Sequence, residues 1–462
     1  MTLNKNQLEF FNKVISSLSN LSDEEDPDRF LLLGCPGTGK SFLISTLTEY
    51  LVNQGLEILI LTPTHSSREV IRENFNPELF SKGNLTLKTI DSGLSKRPNV
   101  DDYRQLVLSK GNSDQLNNFD LVIVDEISMM SKNDQKVILE SSSTTIFTGD
   151  YNQIPPVMKK QNKLDAIIEP FWLTEQMRST TEIEEISYKS LNYQRYYPKS
   201  DLTEEELIEN FISDPLTKTG ESVYIVYRNK TLNRINKLTR EFLYPDQPPF
   251  VPGETLLSRF NGHNIFNNQT FRIISCEHIE GHEWSLEVEP GVFIRTLTPE
   301  GYQIEMSELE KLKNMCEKYK KQGNYDLYNE VIESRFSKLD NYDFVDYPYC
   351  RTVHRVQGMT FKNVYVDSEV NDSPNRQKML YVAYSRPSDN LFTSKVEFDN
   401  NYYLLKSIKD RVDFHFPIMR KTSRLKSDSS RMTEHIIYWS EHGGESQFQL
   451  TDEELYYLYY ND

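Results

Sequence analysis

One short stretch carries the most specific chemistry in this 462-residue chain. Gly34-Cys35-Pro36-Gly37-Thr38-Gly39-Lys40-Ser41 fits the spacing G-x-x-x-x-G-K-[ST]. Its glycines let backbone N–H groups close around phosphate oxygens, and a helix starting behind it adds partial positive charge. In such a cradle Gly34, Pro36, Gly37, Thr38 and Gly39 shape the loop, Lys40 reaches the β- and γ-phosphates, and Ser41 holds Mg²⁺. A glycine-rich turn that fits by chance is the plainer alternative. An apolar run before the loop and a helical run after it argue for the cradle. A second element, Leu121-Val122-Ile123-Val124-Asp125-Glu126, is an apolar strand ending in two carboxylates. That places both acids at the carboxyl edge of a sheet, where ligands bind. Asp125 then joins the Mg²⁺ shell and Glu126 polarises an attacking water. A third element, Gly149-Asp150 followed by Gln153, Pro155 and Pro156, offers Gln153 as a sensor of the γ-phosphate. Judged alone it also reads as a proline-rich turn.

These side chains need a sheet to hold them. The first half alternates short apolar segments with helical ones, the pattern of a parallel α/β sheet. Strands are expected at residues 30–33, 57–61, 85–87, 121–124 and 144–147, each apolar enough to be covered on both faces. An opening helix carries Leu8, Phe11, Ile15 and Leu18 at helical spacing. The pattern restarts with strands at 223–226 and 364–366 and helices at 230–242 and 376–384. Between them, 255–257, 270–274 and 284–288 read as strands of a small barrel. A charged helical tract at 307–339, broken near Gly323, follows them. The tail holds a basic patch (Arg420, Lys421, Arg424, Lys426, Arg431) and a tyrosine-rich acidic end.

Composition narrows the setting. Apolar residues make up 37% and charged residues 26%, with a net charge of −17. Such a charge argues against coating a polyanion by bulk attraction. It leaves room for a narrow basic channel, because screening limits distant charges to about 8–10 Å. Cys35, Cys276, Cys316 and Cys350 are scattered without a C-x-x-C pair, so reduced thiols and no zinc site are expected. No run of about 18 apolar residues is present, so no membrane-spanning helix is expected. The polar start does not read as a secretory signal. A cytoplasmic setting is expected.

The order of the motifs resembles superfamily 1 helicases of the B branch, in particular the Dda-type, RecD-like DNA helicases. The resemblance covers roughly residues 4–390 and rests on VDEIS (124–128), GDYNQIPPV (149–157), TVHRVQGMTF (352–361) and YVAYSRP (381–387). It implies an α/β fold with two RecA-like parallel-sheet domains, a small β-barrel-like insert and a short hairpin insert. The first domain would span 1–175, with a pin-like insert at about 93–118. The second would combine 176–250 and 345–400, around an SH3-like insert with a helical arm at 251–344. Residues 401–462 would form an extension of unknown role.

The resemblance also implies roles. Gln7 would read adenine, although with Asn4 it also forms a capping-box pattern. Arg178 and Arg386 would reach the γ-phosphate, and Gly358 would lie near the nucleotide; the plainer alternative for either arginine is a solvated surface position. Pro63, Thr64, His65, Thr352 and His354 would touch a DNA strand, the histidines otherwise being satisfied loop residues. The family's Thr-Ile-His motif is here Thr89-Ile90-Asp91, an acid where phosphates would pass. Val107 and Leu108 would sit on a strand-separating pin, or else fold back onto their own domain. ATP and Mg²⁺ are the implied cofactors. The implied partners are single-stranded DNA, fork junctions and a single-strand binding or replication protein, met by a monomer. The implied activity is 5′→3′ translocation with duplex unwinding. A translocase that strips proteins, or a nucleotide-dependent scaffold, are the alternatives.

Overall fold

The computed structural model describes residues 3–20, 27–73, 75–96, 98–100, 106–108, 111–155, 163–177, 181–192, 198, 200–259, 265 and 268–395. One compact unit spans Met1–Lys395. The expected extension at 401–462, with its basic patch, lies outside the described residues.

The first sheet contains β1 (Arg29–Gly34), β2 (Ile58–Thr62) and β3 (Leu85–Thr89). A two-stranded hairpin follows, β4 (Pro98–Val100) with β5 (Leu106–Leu108). The sheet then continues through β6 (Leu121–Val124), β7 (Thr144–Gly149) and β8 (Pro170–Leu173). Its order is β3-β2-β6-β7-β1-β8, with every pairing parallel. The period of two along each strand divides the apolar residues between two cores. Phe30, Leu32, Ile58, Ile60, Leu121 and Ile123 face one core. Leu31, Leu33, Leu59, Leu61, Val122 and Val124 face the other. Both faces are therefore dry, and the polar loops at the strand ends are the places left for chemistry. β1 lies between β7 and β8 while β2 lies beyond β6, so the strand order reverses at β1 and opens a crevice above its carboxyl end.

The helix Lys5–Asn20 packs on this sheet through a different stripe from the expected one. Phe10, Val14 and Gln7 are fully buried, Phe11, Ile15 and Leu18 lie at the margin, and Leu8 is exposed. The helix is turned so that Gln7 meets the phosphate loop, and this swings Leu8 into solvent.

The second parallel sheet begins at β9 (Ser222–Val226). Before it resumes, the chain makes β10 (Thr255–Ser258), β11 (Thr270–Glu280), β12 (Glu283–Val288), β13 (Val292–Leu297) and β14 (Val345–Asp346). These form an antiparallel sheet in the order β13-β12-β11-β10-β14. A backbone bond from the Asp343 N–H to the Arg295 carbonyl (2.7 Å) draws its two edges together. Two helices, Pro299–Lys321 and Tyr325–Asp340, project between β13 and β14, with the turn at Gly323. The second sheet closes with β15 (Cys350–Thr352), β16 (Phe361–Val366) and β17 (Pro387–Thr393), in the order β15-β9-β16-β17 and all parallel. Tyr224, Val226 and Tyr365 face one core, and Val223, Ile225, Val364 and Val366 face the other.

Candidate active site

The phosphate loop leaves β1 at Gly34 and turns into the helix Lys40–Asn53 at Gly39. Gly37 and Gly39 have φ of 89° and 80°, a region that favours glycine. Space forbids a side chain as well: a Cβ on Gly37 would lie 1.9 Å from Gln176 Oε1, and one on Gly39 2.5 Å from Gln7 Nε2. Inside the loop the Thr38 hydroxyl donates to the Cys35 carbonyl (2.8 Å). The Lys40 ammonium donates to the carbonyls of Gly34 (2.6 Å) and Cys35 (3.0 Å). Gln7 makes both halves of the capping pattern. Its N–H donates to Asn4 Oδ1 (2.8 Å), and its Oε1 accepts from the Asn4 N–H (3.1 Å). Its Nε2 is left facing the carbonyls of Thr38 (3.4 Å) and Gly39 (3.5 Å). Gln176 Nε2 donates to the Pro36 carbonyl (3.0 Å), and the Met177 N–H to the Gly37 carbonyl (2.8 Å).

Asp125 and Glu126 follow β6. The Asp125 N–H donates to the Leu61 carbonyl of β2 (2.9 Å), which fixes the strand end. Glu126 sits at φ 51°, a left-handed conformation that a glutamate adopts at a cost, and such strain clusters at active sites. Burial pushes its carboxyl up to about 7, with the Asp125 charge adding to the effect and Lys40 and Arg386 opposing it. Burial raises Asp125 too. Glu126 Oε2 is buried without a hydrogen-bond partner among the described residues. Hard oxygen donors therefore converge near Lys40, and they suit Mg²⁺. Among the described residues no group of three or more His, Cys, Asp or Glu forms a metal cage. An ion held by Ser41, Asp125, water and phosphate oxygens needs no such cage.

The second lobe reaches this edge through side chains that sequence reasoning did not single out. Gln357 Nε2 donates to Gln153 Oε1 (3.1 Å) and to the Ser128 hydroxyl oxygen (3.3 Å). Tyr381, on the helix Arg376–Tyr384, donates to Asp150 Oδ2 (2.6 Å), and Tyr188 donates to Cys35 Sγ (2.7 Å). Lys378 donates to the Tyr151 carbonyl (2.9 Å). A Cβ on Gly358 would lie 3.8 Å from Glu126 Oε1. Arg386 is 2% exposed. Its guanidinium donates to the carbonyls of Val382 (2.9 Å) and Met359 (3.2 Å) and to the Ser385 hydroxyl oxygen (2.9 Å). Burial lowers its pKa, and the charges of Glu126, Tyr381 and Asp150 act against that. Arg178 lies outside the described residues. Gln357 and Tyr381 lie inside the motifs at 352–361 and 381–387, and Gln176 lies two residues before Arg178. Position within a motif was thus the available signal.

Thr64 caps the helix His65–Glu73: its hydroxyl oxygen accepts the Ser67 N–H (3.1 Å) and pairs with the Ser67 hydroxyl (2.8 Å). Pro63 and His65 are half-buried. Burial and then Arg68 lower the His65 pKa, with the Glu69 and Asp91 charges acting against them. Thr352 is buried at the end of β15, whereas His354 is exposed. Asp91 pairs with Lys96 (2.7 Å), which also pairs with Asp134 (2.6 Å), so the unexpected acid is neutralised locally. At the hairpin Asn99 pairs with Val107 and Pro98 with Leu108. The side chains of Val107 and Leu108 lie outside the described residues. Leu94 and Leu116, on either side of the hairpin, are fully buried and anchor its stem.

Two parallel sheets whose polar edges meet over a phosphate loop and an acid pair make a two-lobed P-loop ATPase. Comparison with known proteins narrows that class. Residues 22–159 match the model of an AAA domain. The chain is 24% identical over 454 residues to the ATP-dependent DNA helicase dda of enterobacteria phage T4, covering 84% of this chain and 98% of that one. It is 22% identical over 469 residues to the uncharacterized protein R530 of Acanthamoeba polyphaga mimivirus, covering 78% and 94%. Among solved structures, Pif1 helicase from Bacteroides in complex with ADP-AlF3 and ssDNA shares the fold. It aligns with TM-score 0.50 and 16% identity over 90% of this chain and 98% of that chain. The chain is thus similar over most of its length to a relative named as an ATP-dependent DNA helicase and shares the two-sheet fold of a Pif1 helicase, and the phosphate loop with its acid pair marks it as an ATP-hydrolysing enzyme. Among the described residues no helix is long and apolar enough to cross a membrane.

Proposed function

We propose that this chain is an ATP-dependent DNA helicase that moves 5′→3′ along one strand and unwinds the duplex ahead. The observation that carries the reading is the pair of contacts from the second lobe to the nucleotide edge of the first, Gln357 to Gln153 and Tyr381 to Asp150. They make the state of that edge and the spacing of the lobes a single variable. The relative named as a DNA helicase, alike over nearly its full length, supports DNA as the track.

In this reading Lys40 binds the β- and γ-phosphates and Gln7 reads the adenine. Ser41 and Asp125 would hold Mg²⁺, which when bound offsets charge on the phosphate oxygens. Glu126 takes the proton from the attacking water, and Gln153 senses the γ-phosphate. Arg178 and Arg386 bring positive charge to the transferring group. For Arg386 this means exchanging its bonds to Val382 and Met359 for bonds to the substrate. Gly358 lies by the nucleotide, next to Glu126. Pro63, Thr64 and His65 hold the strand from one lobe, and Thr352 and His354 from the other, with exposed His354 better placed than buried Thr352. Val107 and Leu108 on the hairpin block re-pairing. The working form is a monomer in the cytoplasm, acting at forks with a single-strand binding or replication protein.

Duplexes bearing only a 5′ or only a 3′ single-stranded tail test this. The 5′-tailed substrate should be unwound with ATP turnover, and replacing Val107 and Leu108 by alanine should slow unwinding more than turnover. Efficient unwinding from a 3′ tail alone would reverse the polarity. Turnover that is indifferent to DNA would remove the helicase reading.

A further inference from the structure

The hairpin between β3 and β6 has strands of only three residues each. An isolated two-stranded hairpin is marginal in water, so its direction depends on what holds its stem. The two legs of this stem are in contact. The Asn112 N–H donates to the Leu94 carbonyl (3.0 Å), and a Cβ on Gly111 would lie 2.8 Å from Leu94 Cβ.

The leg that enters the hairpin leaves the short helix Ile90–Gly93 through Ser95, which is left-handed at φ 54°. The Lys96 N–H donates to the Asp91 carbonyl (2.9 Å), and the Ser95 N–H to the Ser92 carbonyl (3.2 Å). These are the two bonds of a Schellman turn, whose left-handed place glycine usually fills. Ser95 Oγ is buried without a partner among the described residues, so the serine makes no bond that would offset its backbone conformation. The turn folds the chain back against the helix and brings the Lys96 side chain beside Asp91.

The Lys96 ammonium donates to Asp91 Oδ1 (2.7 Å) and pairs with Asp134 Oδ1 (2.6 Å). The Lys96 side chain is 10% exposed and that of Asp134 12%, so this half of the triad is shielded from water and from salt. Burial opposes the charge on Lys96, but the bonds to Asp134 and Asp91 outweigh it and raise its pKa. Asp134 is itself held: its Oδ2 accepts the Ser131 hydroxyl (2.7 Å), and its N–H donates to the same Ser131 oxygen (3.2 Å). Ser131 caps the helix Lys132–Leu139. It follows a single turn after Glu126, in which the Met129 N–H donates to the Glu126 carbonyl (3.0 Å). One lysine therefore joins the stem of the hairpin to the segment that leaves the acid pair.

We propose that Lys96 is a positioning residue for strand separation: its ammonium, shared between Asp91 and Asp134, fixes the direction of the hairpin and ties it to the wall of the nucleotide site. The proposal rests on the reading of Val107 and Leu108 as the separating side chains. Lys96 touches neither nucleotide nor strand in this role and acts through the hairpin. It also gives the unexpected acid at position 91 a purpose, as the outer half of the clamp.

The test measures base pairs unwound per ATP hydrolysed by the full chain on a 5′-tailed duplex. Turnover stimulated by oligothymidylate and the melting temperature are read alongside. K96M keeps the length of the side chain and removes its charge. It should lower the coupling ratio by about tenfold, the low end for a charge-assisted bond, while stimulated turnover and the KM for ATP stay as in the wild type. K96R, which can still serve both carboxylates, should recover most of the ratio. A K96M variant that loses melting temperature and both activities together, at an unchanged ratio, overturns the proposal, because the lysine then only supports the fold. D91N, at the exposed acid, carries the test if K96M does not fold, and a wild-type ratio in D91N then overturns it. V107A/L108A is the reference. If that variant loses coupling and folded K96M does not, the clamp fails and the hairpin reading stands. If V107A/L108A unwinds as the wild type does, the hairpin reading fails and the clamp with it.

Discussion

The two parallel sheets hold their working groups in different ways. In the six-stranded sheet the groups sit at strand ends: the loop after β1, Asp125 after β6, Asp150 after β7. The strands beneath are buried on both faces, so the cradle is built before substrate arrives. In the four-stranded sheet the groups stand off the strands. Gln357 and Gly358 lie in the turn beyond β15, and Arg386 follows a helix and is bonded to carbonyls of its own lobe. Both lobes hold their charge in local bonds, but Lys40 holds it within the cradle itself, on the carbonyls of Gly34 and Cys35, whereas Arg386 holds it on Val382 and Met359 of its own lobe and in the proposed cycle would exchange those bonds. Preorganised donors contribute most where charge develops in the transition state.

That contrast predicts different failures. If Lys40 binds the phosphates as proposed, Lys40→Ala should abolish turnover with the fold intact, at several kcal/mol in the transition state. Arg386→Ala should leave nucleotide binding nearly unchanged while lowering turnover by about 10³–10⁵ if it acts as a full arginine finger. Arg178→Ala should behave as Arg386→Ala does. Nucleotide titration alongside turnover separates the two kinds of loss. If the Arg386 variant also lost binding, both lobes would be parts of one rigid cradle and the contrast would fail.

Glu126 gives the next largest effect. A base works as its carboxylate, and burial raises this carboxyl to about 7. Hydrolysis should therefore climb about tenfold per pH unit below that value and level off above it. Glu126→Gln should show slow turnover without the limb. The fold also binds this proton more tightly than the unfolded chain does. Its contribution to stability is thus present at low pH and is lost as pH rises from the ordinary carboxylate range through about 7. A single-turnover profile that stays flat across roughly pH 5.5–8.5 would deny Glu126 the role of base.

The same contrast explains what could be read from sequence. β1 and β6 announce themselves as unbroken apolar runs, and the loop and acids follow them directly. β8 opens with Pro170 and leaves Trp172 half in solvent, so no run marks it. β15 is Cys350-Arg351-Thr352, and no apolar pattern foretells an arginine buried in a strand. The cross-lobe bonds were invisible for another reason. Gln357 meets Gln153 across 204 residues of chain, and Gln176 meets Pro36 across 140. A polar residue whose partner is that distant carries no local periodicity. The opening helix shows the same limit: its rotation is set by Gln7 against the loop, a contact that hydrophobic spacing does not contain.

The smallest expected effect tests the seam itself. Tyr381 places a buried hydroxyl on Asp150 Oδ2 at 2.6 Å, from the helix that leads into Arg386. Oδ1 of the same carboxylate already accepts the Asn152 N–H (2.9 Å). Tyr381→Phe keeps the ring and its packing and removes one charge-assisted bond, a loss of about 1.5–3 kcal/mol. If the bond only supports the fold, the melting temperature should fall and turnover at saturating ATP should not. If it aligns the helix that carries Arg386, turnover should also drop, by up to about tenfold, with nucleotide affinity unchanged. Tyr188→Phe is the matched control. Its hydroxyl reaches Cys35 Sγ, a weak acceptor, from the helix Thr181–Asn192. It should cost less on both measures. Equal and purely thermal losses in the two variants would make the seam ordinary packing, and the division between a fixed lobe and an exchanging one would then rest on Arg386 alone.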